Sequence, residues 1–260
     1  MLKVAILTSK KKGYASSLIP LLIQSSNVDL VGVFYSSSKS SWNSKTIRSK
    51  VRKIKKIGLL GALNGYRIRE WFVNYDARNL DEVCQEYGVN LEIVKSMYGP
   101  ELVQKLTSMD LSLGLSLGNG YIPKEVFEIP RSGFVNIHTE LLPNYRNGQS
   151  IIWPIHNGET QTGFTIHRIN EVIDRGDILY QEVYPIVFER SLKQTVKENL
   201  KTAYEKVPLA FLNLCEDFAY YDQRSIHQTK GNAYTTPTIK QFLTMLGQNY
   251  KCHKKANRKQ

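Results

Sequence analysis

Apolar and polar residues change places along this chain in short blocks, and the lengths of the blocks predict its elements. Val4, Ala5, Ile6 and Leu7 form a continuous apolar run, which predicts a buried strand over 3–8. Apolar side chains at helical spacing over 14–24 and a second apolar run over 28–35 follow it. Strand, helix and strand in that order predict a parallel α/β sheet. The pattern continues with helices over 80–87 and 100–107, a strand over 89–94 and a buried strand over 110–117. A strand over 134–138 leaves the core in alternation, and a short helix over 151–157 stops at Gly158. Strands over 164–169 and 178–187 come next.

Less regular stretches lie between and after these. Residues 36–44 are Ser-rich and read as a mobile loop. Behind them Ile47, Val51, Ile54 and Ile57 recur at helical spacing among Lys45, Arg48, Lys50, Arg52, Lys53, Lys55 and Lys56. Such a basic helix is a solvated face, a membrane-surface contact or an RNA contact. Ser191 caps a long helix carrying Leu192, Val196, Leu200, Tyr204 and Val207, which Pro208 kinks or restarts. The Tyr, Gln and Thr content of 221–239 predicts a hairpin or loop-rich extension. Lys251, Lys254, Lys255, Arg258 and Lys259 predict a solvated, disordered tail. The expected organisation is a main domain over 1–187, a helix and hairpin extension over 188–250, and a basic tail over 251–260.

Composition narrows the classes. At 260 residues the chain can bury a large core. No apolar run approaches the roughly eighteen residues that a membrane span requires. Cys84, Cys215 and Cys252 have no CxxC spacing, so neither a disulfide framework nor a metal site is predicted, and a cytoplasmic location is expected. The formal charge of +12 favours acidic partners: nucleic acid, anionic lipid, nucleotide diphosphates or folates. The turn after the first strand lacks GxGxxG, so the dinucleotide fingerprint is absent.

Candidate chemistry gathers at one predicted sheet edge. Asn136 and His138 stand two apart on a strand and share a face. An amide donor beside an imidazole can hold an oxyanion and move a proton. The strand ending at Leu117 delivers Gly118-Asn119-Gly120-Tyr121-Ile122-Pro123 to the same edge, where open α/β sheets bind ligands. Either Asp174 or Asp177 can supply a carboxylate to orient the imidazole. His167 reads as structural or exposed, and His156 as a helix-end cap.

These motifs stand in a fixed order: Asn136-x-His138, Leu141-Leu142-Pro143-x-Tyr145-Arg146, Trp153-Pro154-Ile155-His156-Asn157-Gly158, Thr162-Gly163-Phe164, then Asp174-x-Gly176-Asp177-Ile178. The chain resembles the N10-formyltetrahydrofolate-dependent formyltransferases, densely from about 111 to 178 and more weakly back to Met1. The resemblance implies a Rossmann-like, mostly parallel α/β sheet flanked by helices, with a small C-terminal helix and hairpin extension. It implies an Asn136, His138 and Asp174 catalytic set and a folate site formed by Leu117, Gly118, Tyr121, Ile122 and Asp177. Tyr145, Arg146, Asn147 and Trp153 would meet the acceptor, and no metal is implied.

Relatives formylate initiator methionyl-tRNA, glycinamide ribonucleotide or nucleotide-linked amino sugars. Asn147 and Ser150 depart from the Tyr-Arg-Gly-x-x-Pro-Ile of the tRNA enzymes, and the stretch from Lys55 to Leu63 is similar to sugar-modifying relatives. The expected acceptor is therefore a nucleotide-linked amino sugar of the dTDP-4-amino-4,6-dideoxyglucose type, for surface polysaccharide, with no nucleic acid partner. A methionyl-tRNA formyltransferase and a non-catalytic nucleic-acid-binding module are the alternatives. A homodimer through the C-terminal extension is also expected.

Overall fold

A seven-stranded sheet organises the computed structural model, which describes residues 1–37, 44–73 and 76–258. Strands β1 (Leu2–Thr8), β2 (Val28–Tyr35), β3 (Leu91–Ile93), β4 (Leu113–Leu117), β5 (Phe134–His138), β6 (Gln161–Arg168) and β7 (Ile178–Pro185) stand in the order β3-β2-β1-β4-β5-β6-β7. The first five run parallel, β6 pairs antiparallel with β5, and β7 pairs antiparallel with β6. Helices α1 (Tyr14–Gln24), α2 (Ser44–Ile57), α3 (Leu59–Arg69), α4 (Leu80–Glu86), α5 (Pro100–Ser108) and α6 (Lys124–Phe127) accompany the parallel part. Helices α7 (Ile152–His156), α8 (Leu192–Glu216), α9 (Phe218–Gln223) and α10 (Ile239–Asn257) follow. The mostly parallel α/β architecture expected from the block pattern is the one found.

Burial explains the pattern. Val4, Ala5, Ile6 and Leu7 are fully buried because helices cover both faces of the parallel strands. On one face α1, α4 and α8 pack Leu18, Leu22, Val83, Val207 and Phe211 against the sheet. On the other, α5 and α6 bring Leu102, Leu106 and Val126. A third cluster joins Ile68 and Trp71 to Ile152, Trp153, Phe242 and Met245.

Three expectations are corrected. Pro208 does not restart the long helix: α8 runs through it to Glu216, because the apolar face around Val207, Phe211 and Leu214 stays buried on both sides of it. This helix packs into the main core through Ala203, Val207, Phe211 and Leu214. The C-terminal hairpin is replaced by a strap making isolated bridges at Ile226 and Ala233, followed by α10. The basic tail is mostly helix, since α10 continues to Asn257. Thr238 and Gln241 form a reciprocal capping box at its start, and Phe242, Met245 and Asn249 anchor its inner face. The Ser-rich loop lies largely outside the described residues.

Candidate active site

Strands β4 and β5 pair in parallel with Ser116 opposite Asn136, so both leave the sheet at the same edge. After β4 the chain turns at Gly118 with φ +78°, a left-handed conformation that glycine adopts without strain. A side chain there would also press on Lys10.

Asn136 lies directly opposite His167 in the antiparallel pairing of β5 and β6. The His167 Nδ1–H donates to the Arg168 carbonyl at 2.8 Å, which leaves Nε2 as a bare acceptor. The Asn136 amide nitrogen stands 3.4 Å from that Nε2, so one N–H is oriented by the ring and the other remains for a ligand. Burial pushes the His167 imidazole down to about 4, against the opposing pull of Asp174. The ring is therefore neutral near pH 7, and its 3.8 Å approach to Asp174 is not an ion pair.

Asp174 is buried at φ +56° in the loop between β6 and β7. Its Oδ2 accepts the Asn147 backbone N–H at 2.9 Å and lies 3.6 Å from His138 Nδ1. The spacing Asp-x-Gly has a steric cause. A Cβ on Gly176 would fall 1.8 Å from the Arg168 carbonyl oxygen, so only glycine lets this loop close over β6. His138 Nε2 meets the Tyr145 carbonyl at 2.6 Å; a carbonyl only accepts, so this nitrogen carries a proton. Nδ1 is then the nitrogen that faces Asp174.

Asn136 divides two concavities. The larger holds about 550 Å³ and is walled by Lys10, Lys12, Lys53 and Arg69, with no carboxylate among its described lining residues. Burial, and then the charge of Arg69, pushes the Lys53 ammonium below its ordinary value. Asn119 and Gln149 also line this cavity, and each has a buried side-chain oxygen without a hydrogen-bond partner among the described residues. The smaller cleft, about 40 Å³, lies between Tyr121, Ile122, Val172 and Ile173, with Asn136, His167 and Asp174 among its other lining residues. Among the described residues no group of three or more His, Cys, Asp or Glu is placed to hold a metal ion.

The expected residues fall in different places. Leu117, Gly118 and Asn147 line the larger cavity, and Tyr121 and Ile122 the smaller cleft. Asp177 lines neither and bonds to His227 at 2.9 Å. Tyr145, Arg146 and Trp153 stand behind the cavity wall. Arg146 is buried and donates to Gln228 Oε1 and the Thr229 carbonyl. Tyr145 stacks on Tyr234 at 5.4 Å, and Trp153 Nε1 donates to the Thr235 carbonyl at 3.1 Å. These three side chains hold the strap whose Thr235 and Thr236 line the cavity, because their polar atoms are already engaged within the protein.

Pattern reading missed His167, whose signal is its register opposite Asn136 rather than any motif. It also passed over Glu140. That carboxyl is fully buried, accepts from Thr162 Oγ1 at 2.9 Å and from the Ile151 N–H, and is pushed by burial up to about 8. Asn147 stands at φ +57°, which explains its place where relatives have Gly: asparagine is among the side chains that best tolerate the left-handed region.

The fold and site define an α/β protein with an Asn, two His and an Asp gathered at the carboxyl edge of its sheet. The sequence matches the formyl transferase family over residues 2–210, and the chain belongs to that family. A methionyl-tRNA formyltransferase of Thermodesulfovibrio yellowstonii is 32% identical over 135 residues, covering 52% of this chain and 41% of that protein. The chain thus matches less than half the length of that curated relative. Among solved structures, glycinamide ribonucleotide transformylase 1 from Symbiobacterium toebii superposes with a TM-score of 0.56 at 13% identity, over 89% of this chain and 92% of that one. The N-formyltransferase from Helicobacter canadensis, in complex with folinic acid and dTDP-3-aminofucose, gives 0.51 at 17% identity, over 90% and 71%. At such identities these structures share the fold.

Proposed function

We propose that this chain transfers a formyl group from N10-formyltetrahydrofolate to the amine of a nucleotide-linked amino sugar of the dTDP-4-amino-4,6-dideoxyhexose type, for surface polysaccharide. The observation that carries the reading is Asn136 standing between a basic cavity and a small cleft, beside Asp174. The cations of the cavity suit a diphosphate-bearing acceptor. The tetrahydrofolate supplies the formyl group. Leu117, Gly118, Tyr121 and Ile122 would hold it. The cleft as it stands admits no bicyclic ring, so Tyr121, Val172 and Ile173, all half-exposed, swing outward on binding.

The residues then have separable tasks. His167 holds one Asn136 N–H, which aims the other at the formyl oxygen where negative charge develops. Asp174 accepts the proton that the attacking amine loses, directly or through water, with His138 Nδ1 beside it. Asn147 fixes the carboxylate through its backbone N–H.

A second reading, transfer to initiator methionyl-tRNA, is favoured by the likeness to the Thermodesulfovibrio yellowstonii protein. In it the basic helix α2 would meet the acceptor stem. One assay separates them: the chain is incubated with N10-formyltetrahydrofolate and either dTDP-4-amino-4,6-dideoxyglucose or methionyl-tRNA, and products are weighed by mass spectrometry. Formylated sugar, absent with Asn136→Ala, is expected. Formylated tRNA with untouched sugar would replace the acceptor, and no product with any amino sugar or tRNA would overturn the formyl-transfer reading.

A further inference from the structure

Helix α3 is turned inside out. It buries Gly61, Asn64, Gly65 and Ile68 and exposes Leu59 (67%), Leu60 (63%), Leu63 (62%) and Tyr66 (71%). The inward face is small because the strap lies flat on it: a Cβ on Gly65 would fall 2.2 Å from Thr236 Cγ2, and one on Gly61 3.2 Å from the Pro237 carbonyl. Neighbouring α10 repeats the pattern. Phe242, Met245 and Asn249 face in, while Ile239, Leu243, Leu246 and Tyr250, spaced at helical intervals, are exposed. Two adjoining helices therefore each turn an apolar stripe to solvent, where scattered single residues are the norm.

Charge identifies what covers it. By sequence α2 carries seven Lys and Arg, α3 two and α10 four, with no Asp or Glu on any of them. These helices account for the whole of the chain's net charge of +12. Among the described residues none of these cations forms an ion pair with a carboxylate. A second copy of the chain would present the same cations to them, so like charges oppose the dimer expected through this extension. RNA would engage the cations and leave the leucines without a role. Anionic lipid satisfies both, with headgroups at the lysines and apolar side chains at the acyl boundary.

We propose that α2, α3 and α10 form a peripheral docking face for an anionic bilayer, with the leucines of α3 entering its interface. No described helix is long and apolar enough to cross the membrane. Lys53 of α2 and Arg69 of α3 line the larger cavity, so two of these helices also wall that cavity.

The full chain is sedimented with vesicles of phosphatidylcholine alone or of phosphatidylcholine with phosphatidylglycerol. Binding to the anionic vesicles only, weakened by salt, is expected. Leu59→Ser/Leu63→Ser lowers the affinity about tenfold or more with an unchanged thermal melting curve, as does Arg52→Glu/Lys55→Glu. Leu63→Trp reports the same contact without removing apolar surface, its emission moving to the blue on anionic vesicles. The proposal is overturned by equal binding to neutral vesicles or by a leucine double variant that binds like the parent. It is equally overturned by a dimer in light scattering that Leu63→Ser dissociates, or by an RNA oligonucleotide that binds this face in place of the vesicles and depends on the cations alone.

Discussion

Asn136 acts with one N–H and is oriented by the other, so its removal and the removal of its guide have different sizes. Asn136→Ala is expected to lower kcat by about 10²–10³, the usual loss for one oxyanion donor, with no change in melting temperature. His167→Leu keeps the amide and loses only its orientation, an uncharged hydrogen bond worth about 1 kcal/mol, so kcat falls by about tenfold at most. Formyl-transfer kinetics on both variants check the order. Glu140 gives a prediction that does not depend on the reaction. Its value, pushed to about 8, lies above the ordinary 4.5, so between these values the folded chain holds a proton that the unfolded chain has released. Stability therefore falls as pH rises through this window and levels off above it, by up to ~1.4 kcal/mol per unit. Urea midpoints measured across that range should drift downward for the parent and stay level for Glu140→Gln.

Single side chains at this site depend on loops whose shape is decided between elements. The loop from β6 to β7 carries Asp174 and passes so close to Arg168 that Gly176→Ala forces the backbone apart. A loss of about 1–3 kcal/mol in stability is expected, together with a fall in activity as Asp174 shifts from Asn147. Denaturant melts and kcat measured together test the coupling. At α10 the capping box is separable from the site: Thr238→Ala should cost about 1 kcal/mol in unfolding free energy and leave kcat unchanged. Helix α10 also shows why local pattern misled: the Tyr, Gln and Thr residues before it resemble a hairpin, and its lysines resemble a solvated tail. Burial of Phe242, Met245 and Asn249 against the rest of the chain is a non-local fact that composition does not carry.

Across the whole molecule, positive charge is concentrated rather than spread. The cavity wall carries four cations and no described carboxylate, so binding of a diphosphate acceptor should weaken with ionic strength while the chemical step does not. A KM that rises with salt at constant kcat is the expected result. A steep power-law loss of binding would instead mark the many phosphate contacts of a nucleic acid.

The alternation at 134–138 and the apolar runs of the parallel strands determined the sheet class and set Asn136 and His138 on one face, because period is a local property, while Asp174 was singled out over Asp177 by the resemblance to the formyltransferases. Tertiary structure alone decided that His167 faces Asn136, that Arg146 is spent on Gln228, and that the α3 leucines point outward. Register across an antiparallel pair, the competing partners of a buried cation and the side of a helix left uncovered all depend on residues far away in the chain. No window of sequence contains them.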